Sequence, residues 1–446
     1  MNFMNRFKKM GYAAFLTMLS CWSLSSFAVT TPQEVMVNVD FAVSTPQKNM
    51  SGFLHAVGKT DPPDSLILPL KPALWRIRAG DNINYARAVN AGAQIQVVLS
   101  DGYGYPNSNW KGNGAPWENN WSNWENFVRQ MAQVYRNTPV YWEVWNEPDV
   151  KKWNTYQFWN GTQAQFFETY KRAYTILRQE LGPNVMIGGP GYANYEPTNT
   201  KAFLDYCQQN GLQVNFLTWH ELMKAENNIS TVASNISTMR TVATSYPDLA
   251  IQKIFINESV GPRTQYFPGD ILAFLYYIEL GGADAANKGC WLDTQGKNNC
   301  SNNSLDGILN HVSNGISSTA KPRAAWWAYK TYADVINNRV QTTSSNPNLV
   351  ALASKTPSQV LLGYHGLTAP GPAKVTVRFK NLPLIGQKGG YVQVTISKVP
   401  NTGEATLNNL VPVASLTTPV VYGTTRVFVP LMNLHEEYIV TVSPVP

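Results

Sequence analysis

The sequence predicts an α/β chain that forms a (β/α)8 barrel with an accessory antiparallel β-sandwich. Between about residues 50 and 340, short apolar segments rich in β-branched and aromatic residues alternate with longer amphipathic ones, which is typical of a parallel sheet. Eight such short segments occur, and eight parallel strands close a barrel. After Asn338 the hydrophobic period changes from about 3.6 to 2. Gly, Pro and Asn separate these later runs, and the pattern predicts a sandwich of about 100 residues.

The barrel strands and several helices can be located along the chain. The predicted strands are Gly52–Ala56, Leu74–Arg78, Ile95–Ser100, Val140–Asn146, Val185–Pro190, Val214–His220, Ile254–Ser259 and Ala283–Leu292. Ser122 and Glu125 have the spacing of a capping box, which predicts a helix start there. The helix after the fourth strand should end at Gly182-Pro183, another should run from near Asp270 to Gly281, and the last should span 322–337.

The 446 residues divide into four predicted segments. These are a signal peptide at 1–28, a strand within 29–48 that joins the sandwich, the barrel at 49–340 and the sandwich at 341–446. The strand within 29–48 is expected in the sandwich because 35–43 already alternates with a period of 2. A hydrophobic share of 44% excludes a disordered chain.

Residues 1–28 have the pattern of a secretory signal. Arg6, Lys8 and Lys9 precede an apolar run at 11–22, and Ser26-Phe27-Ala28 forms a small-x-small cleavage site. The mature chain should therefore begin at residue 29 and be secreted or periplasmic. An uncleaved anchor is disfavoured because the run is shorter than the roughly 20 residues of a membrane span. Lipoprotein anchoring at Cys21 matches its pattern poorly, and no later segment is apolar enough to span a membrane.

Charge and motifs exclude several classes of partner. The net charge of +7, less the three positive charges of the signal, leaves +4 on 418 residues, which is too dilute for a nucleic-acid-binding protein. No phosphate-binding or dinucleotide-binding glycine motif is present, and no Cys/His group has zinc spacing. We therefore expect no cofactor and no metal. Asp101 and Asp293 lie at predicted strand ends, where calcium is an alternative that their spacing does not require.

The cysteines point to an oxidising compartment. Cys290 and Cys300 enclose a short polar segment that suits a disulfide. Cys207 shares a helical face with Phe203 and Leu204, so we expect a buried apolar side chain rather than a nucleophile.

Two glutamates lie where a barrel carries its reactive groups, at the carboxyl ends of the strands. Glu147 ends the fourth predicted strand and Glu258 the seventh, on different sides of the barrel mouth. Glycoside cleavage needs two such carboxyls, one to protonate the leaving oxygen and one for the anomeric carbon. Asn146 precedes Glu147 and can donate a hydrogen bond to a sugar hydroxyl.

The stretch Trp142–Asp149 resembles the acid/base signature of the clan A retaining glycoside hydrolases. Its surroundings are similar to family 39, the β-xylosidase and α-iduronidase group, over about residues 50–340. The segments that carry this likeness are Arg76–Arg78, Phe158–Thr162, Ile187–Pro190, Trp219-His220 and Lys321–Arg323.

The resemblance implies a role for each matching residue. Glu147 would be the acid/base, Glu258 the nucleophile, and Asn146 the contact to the sugar 2-hydroxyl. His220 would lie beside the nucleophile, and Arg76 would hold its carboxylate ionised. The family usually has Thr-Glu-Trp around the nucleophile, whereas this chain has Asn257-Glu258-Ser259. Glu221 and Glu143 are therefore rival carboxylates, although Glu143 lies deeper and is expected to pair within the core.

A sugar-binding mouth should also contain aromatic side chains, because sugar rings have apolar faces. Tyr103 and Trp110, in the segment after the third strand, and Trp291, at the end of the eighth, are the candidates. His55, at the end of the first strand, is a candidate for a sugar hydroxyl or for a structural role.

We therefore expect a retaining glycoside hydrolase that acts on a polysaccharide or oligosaccharide, with its carboxyls about 5 to 5.5 Å apart. A non-catalytic carbohydrate-binding protein and a transglycosylase are the alternatives. The sequence leaves the sugar, the linkage, endo or exo cleavage and the oligomeric state open.

Overall fold

The computed structural model of the protein describes residues 32–55, 57–105, 114–118, 121–150, 158–294, 303–311, 320–367, 371–382 and 390–445. Its strands are β1 (Gln33–Ser44), β2 (Gly52–Leu54), β3 (Leu74–Arg78), β4 (Gln94–Val98), β5 (Val140–Glu143), β6 (Met186–Tyr192), β7 (Phe216–Glu221), β8 (Lys253–Ser259), β9 (Ala285–Lys288), β10 (Leu309–Asn310), β11 (Lys321–Pro322), β12 (Arg339–Ser344), β13 (Leu349–Ser354), β14 (Gln359–Tyr364), β15 (Ala373–Lys380), β16 (Tyr391–Val399), β17 (Val411–Pro419), β18 (Thr425–Met432) and β19 (Glu437–Pro444). The α-helices are α1 (Asn82–Asn90), α2 (Leu99–Tyr103), α3 (Ser122–Val134), α4 (Gln163–Leu181), α5 (Pro197–Gln209), α6 (Met223–Glu226), α7 (Thr231–Thr244), α8 (Pro268–Gly281) and α9 (Ala324–Asp334).

Strands β2 to β9 form one sheet in chain order, with every neighbouring pair parallel. β9 lies alongside β2, so the sheet curves round on itself, and helices connect its strands. The predicted (β/α)8 barrel is confirmed. The third barrel strand is shorter than predicted because Leu99–Tyr103 turns into α2, and the eighth ends at Lys288 rather than at Leu292.

The barrel interior contains an apolar plug below a group of polar side chains. Leu74, Phe216, Phe255 and Ala285 form the plug, with Tyr141 and Met186 packed against it. Since side chains alternate along a strand, the inward-facing positions two residues after those of the plug lie closer to the carboxyl ends of the strands. Five of these are polar and fully buried, and we call them the polar layer: Arg76, Gln96, Glu143, Thr218 and Asn257.

One helix start differs from the pattern that predicts it, at α3. α3 follows Trp121, whose φ is 68° and whose side chain makes no capping bond, so the predicted capping box at Ser122 is not formed. Ser122 is already the first residue of the helix, one position too late to cap it. A capping box does form at α4, between Thr162 and Gln165.

The second sheet has nine strands in the order β17-β16-β19-β14-β13-β12-β1-β15-β18. Its end strands β17 and β18 approach each other, so the sheet folds over one apolar core. The strand β1 contributes Val35, Val37, Val39 and Phe41 to that core. This confirms the accessory β-sandwich, which is antiparallel apart from the parallel pair β1–β15.

The helix α8 lies between the barrel and the sandwich and contacts β13, β14 and β19. Both of its faces are therefore buried. A Cβ atom at Gly269 would lie 2.4 Å from the carbonyl oxygen of Tyr364, so only glycine allows this close approach. In the part of the chain that the structure describes, no helix is both long and apolar enough to cross a membrane.

Candidate active site

Glu147 lies just beyond the carboxyl end of β5 in a strained backbone conformation. Its φ is 49°, which is uncommon for a residue with a side chain. Its backbone N–H donates to the carbonyl of Gly191 at 2.8 Å. A Cβ at Gly191 would lie 2.4 Å from the carbonyl oxygen of Trp145. A glycine in β6 therefore lets the two segments approach closely and holds Glu147 at the barrel mouth.

Glu258 is directed by an irregularity in β8. The pairing of β7 with β8 shifts by one residue after Trp219, so that His220 pairs with Glu258. Such a bulge changes the direction of the following side chain. Asn257 accordingly donates to Glu143 in the polar layer, while the Glu258 side chain is 16% exposed at the mouth. Ser259 Oγ donates to the carbonyl of Asn287 at 3.0 Å and links β8 to β9.

Arg76 is fully buried beneath the mouth and links three partners. Its Nε donates to Glu143 Oε2 at 2.6 Å, its Nη1 to Glu258 Oε1 at 3.1 Å and its Nη2 to Asn146 Oδ1 at 2.7 Å. The last contact fixes the amide of Asn146 with its oxygen on Arg76. The Asn146 Nδ2 is then the group that can donate to a substrate hydroxyl.

His220 lies between the two candidate catalytic carboxyls. Its Nδ1 is 2.9 Å from Glu147 Oε1, and its Nε2 is 3.9 Å from Glu258 Oε1. The Glu147 side chain is 13% exposed, similar to that of Glu258. Five predicted site residues, Arg76, Asn146, Glu147, His220 and Glu258, therefore meet in one cluster.

The two carboxyls share a buried setting but differ in their contact with the Arg76 cation. Burial raises the pKa of Glu147 to about 7, with Arg76 opposing the rise. Burial also raises the pKa of Glu258, but His220 and Arg76 counter it. Arg76 contacts Glu258 directly and not Glu147, so Glu258 is the better candidate for an ionised nucleophile. Glu147 is the better candidate for a proton donor near neutral pH.

The rival carboxylates do not reach the mouth. Glu143 accepts hydrogen bonds from the four other members of the polar layer and is fully buried. Glu221 accepts from Trp219 Nε1 at 2.8 Å and from Asn235 Nδ2 at 3.0 Å, so it is directed toward α7. Neither is placed to attack or protonate a sugar at the mouth.

Two of the remaining predicted binding residues lie near the mouth. His55 Nε2 is 3.4 Å from Asp101 Oδ2, and the His55 side chain is 22% exposed. Trp291 follows β9, is partly exposed, and donates from Nε1 to the carbonyl of Val260 at 2.8 Å. That bond holds the indole ring in place.

The predicted substrate-binding residue Tyr103 is buried rather than exposed at the mouth. Its side chain is 2% exposed and packs edge-on against Trp124 and Phe127, with ring centroids 5.1 and 5.5 Å away. The reason is α2, since a helical turn there directs Tyr103 into the layer between the barrel and α3. Trp110 lies outside the described residues.

The cysteine predictions have different outcomes. Cys290 is disulfide-bonded, whereas Cys300, its predicted partner, lies outside the described residues. Cys207 is buried and unpaired, as predicted.

Three residues at the carboxyl end of β4 support the site in a way that the sequence did not indicate, although Asp101 was considered as a calcium ligand and Tyr105 belongs to the aromatic segment after the third strand. Tyr105 OH donates to the carboxylate of Asp101. Ser100 Oγ lies 3.3 Å from Asp101 Oδ1 and accepts from the backbone N–H of Asn146 at 2.9 Å. Ser100 and Asp101 therefore support the Asn146–Glu147 segment. The run of polar residues directly after an apolar strand was the signal for them.

Comparison with known proteins points to one family. The profile of the glycosyl hydrolases family 39 matches residues 103–262, which include both candidate catalytic glutamates. A β-xylosidase from Caldicellulosiruptor saccharolyticus is 29% identical over 101 residues, which are 21% of this chain. The matched segment spans only 18% of that relative's length.

Several solved structures have the same overall fold as this chain. The N2152 protein of Neocallimastix frontalis has a TM-score of 0.73 at 22% identity, covering 93% of this chain and all of that one. A family 39 enzyme from Xanthomonas axonopodis pv. citri has a TM-score of 0.66 at 16% identity, covering 95% and 99%. A glucosidase from Croceicoccus marinus also has a TM-score of 0.66, at 13% identity, covering 93% and 100%. The chain is therefore similar to the glycosyl hydrolases of family 39 over residues 103–262 and shares the overall fold of these solved structures.

Proposed function

We propose that the protein hydrolyses O-glycosidic bonds of a polysaccharide or oligosaccharide with retention of configuration. The observation that carries the proposal is the placement of Glu147 and Glu258 on either side of His220, with Arg76 bonded to Glu258. This arrangement pairs one carboxyl that keeps its proton with one that is assisted to lose it, as double displacement requires.

In the first step, a Glu258 carboxylate oxygen attacks the anomeric carbon. The bond from that carbon to the leaving oxygen breaks, and Glu147 transfers its proton to this oxygen. In the second step, Glu147 takes a proton from water, and the resulting hydroxide oxygen bonds to the anomeric carbon. The glycosyl ester to Glu258 breaks, so that both carboxyls return to their initial states.

Asn146 and Arg76 support the first step through the substrate 2-hydroxyl. Arg76 holds the Asn146 amide oxygen at 2.7 Å, so Asn146 Nδ2 is oriented before the sugar binds. A hydrogen bond from this group to the 2-hydroxyl strengthens as charge develops at the anomeric carbon.

The test is a mass-spectrometric screen of the purified protein against xylans, glucans, mannans and bacterial exopolysaccharides. Glu258→Gln should abolish the fragments that the wild type releases. Glu221→Gln is the matched control, because this buried glutamate lies on the neighbouring strand away from the mouth. Binding of a glycan without fragments would support the non-catalytic alternative, and fragments from Glu258→Gln would refute the assigned nucleophile.

A second measurement separates the roles of the two carboxyls. Glu147→Gln should cost on the order of 10² to 10⁴-fold in kcat/KM on natural glycans, and least on aryl glycosides whose leaving group needs no proton. Added azide should restore turnover of the aryl glycoside and give a glycosyl azide of retained configuration. An azide product of inverted configuration, or equal losses on both substrates, would contradict double displacement with Glu147 as the acid.

We further propose that the protein is exported through residues 1–28, which have the charge and apolar pattern of a signal peptide. Amino-terminal sequencing of the protein recovered outside the cytoplasm should begin at residue 29. Recovery in the cytoplasm with residues 1–28 intact would refute export.

A further inference from the structure

The outer face of the strands β1, β15 and β18 carries two arginines directly opposite each other. Arg378 pairs in register with Arg426 across the antiparallel pair β15–β18. Both side chains are directed outward, because the adjacent residues Val377 and Val427 enter the sandwich core and side chains alternate along a strand. Like charges at directly opposed positions destabilise a sheet, so this pair has no evident structural advantage.

The other charges on this face are already matched. Lys374 Nζ is 3.4 Å from Glu34 Oε1, and Asp40 lies opposite Lys380 in the pairing of β1 with β15. Among the residues that the structure describes, neither Arg378 nor Arg426 forms an ion pair, and Arg378 Nε lacks a hydrogen-bond partner. The face therefore has two positive charges that no described residue pairs with.

Two exposed aromatic residues lie on either side of Arg426 along the chain. Phe428, two residues beyond Arg426 on the same face, is 74% exposed, and Tyr422, in the turn before β18, is fully exposed. The rise of a strand puts Phe428 about 7 Å from Arg426, comparable to the width of a sugar ring. Asn38, opposite Arg378 in β1, adds an uncharged hydrogen-bonding group.

We propose that this face, defined by Asn38, Arg378, Tyr422, Arg426 and Phe428, binds an anionic polysaccharide at a site separate from the barrel mouth. The arginines pair with carboxylates of the polymer, and Phe428 packs against the apolar face of a sugar ring. The inference rests on the proposed function only for the choice of a glycan as the partner class.

The test measures binding without turnover, in the Glu258→Gln background, by isothermal titration calorimetry. The probes are polygalacturonate and its methyl-esterified form, which has the same backbone without the charges. Polygalacturonate should bind more tightly than the ester, with an affinity that falls as salt rises. The double variant Arg378→Gln/Arg426→Gln should weaken polygalacturonate binding by about tenfold or more, and Phe428→Ala should weaken it as well.

Two control variants report on charge and aromatic area elsewhere on the sandwich. Lys355→Gln removes one exposed positive charge from the turn between β13 and β14, and Tyr391→Ala removes a half-exposed ring from β16. Both should bind as the parent does. Unchanged polygalacturonate binding in the double variant would overturn the proposal, as would equal binding of the ester.

The same variants distinguish a glycan from a nucleic-acid partner, and they distinguish failure of the binding face from failure of the proposed hydrolase. Tighter binding of single-stranded DNA than of polygalacturonate, lost in the double variant, would overturn the glycan assignment. If the wild type binds polygalacturonate through this face but cleaves no glycan, the proposed hydrolase fails and the binding face remains. If it cleaves glycans and the double variant retains full affinity, the binding face fails and the hydrolase remains.

Discussion

Replacing Arg76 by methionine removes a buried cation that contacts two carboxylates and an amide. Glu143, also fully buried, would lose its charged partner at 2.6 Å. Breaking a buried pair from one side costs about 3–5 kcal/mol in the free energy of unfolding. Because Arg76 lowers the pKa of Glu258, its loss should raise that pKa, so that Glu258 ionises only at higher pH. The acid limb of kcat/KM should move up by about 1 to 3 pH units.

Urea denaturation and a pH profile of kcat/KM test both effects. In Arg76→Met/Glu143→Gln the unpaired charge is gone, so much of the lost stability should return while the acid limb stays displaced. Arg87→Met is the matched control, because Arg87 is buried and paired with Asp64 away from the mouth. An unmoved acid limb in Arg76→Met, or the same movement in Arg87→Met, would refute the assigned role of Arg76.

Four further outcomes follow from the site. The pKa of Glu147, about 7, should place the basic limb of kcat/KM near neutral pH, since activity needs its protonated form; a pH-rate profile in which Glu147→Gln kept this limb would disprove the assignment. Asn146→Ala should lower kcat/KM by about 10²-fold on the natural sugar and much less on its 2-deoxy analogue, and equal losses would exclude contact with the 2-hydroxyl. Burial raises the pKa of Glu221 to about 7, so its ionisation penalises the native state increasingly as pH rises from about 4.5; urea titrations should therefore show Glu221→Gln gaining stability over the wild type with rising pH, and a constant difference would contradict this. Tyr103→Phe should leave KM unchanged because the ring is in the core, and a raised KM would restore Tyr103 to the site.

The sequence was sufficient for the barrel because eight short apolar segments alternate with longer amphipathic ones between about residues 50 and 340. Glu147 lies just beyond β5 and Glu258 is the last but one residue of β8, and parallel strands bring their carboxyl ends to one edge. The polar layer could also have been predicted from the sequence, since Arg76, Gln96 and Glu143 each stand between two apolar residues.

Other features depend on contacts that no local pattern encodes. Leu99 and Ser100 belong to the predicted third strand, yet Leu99–Tyr103 forms α2 and directs Tyr103 inward. The opposition of Arg378 and Arg426 depends on the register between β15 and β18. The parallel pairing of β1 with β15 joins distant parts of the chain, and alternation alone predicts a strand but not its partner.

The position of β1 also determines when the sandwich can be completed during synthesis. The backbone N–H of Met36 bonds to Ser345, 309 residues further along the chain. The strand β1 leaves the ribosome before the barrel, but both of its partners, β12 and β15, follow the barrel. Its apolar side chains therefore stay exposed until the last quarter of the chain emerges, a state that favours aggregation. The sandwich can therefore be completed only after the barrel has been synthesised, and a chain that stops within the barrel leaves β1 without both of its partner strands.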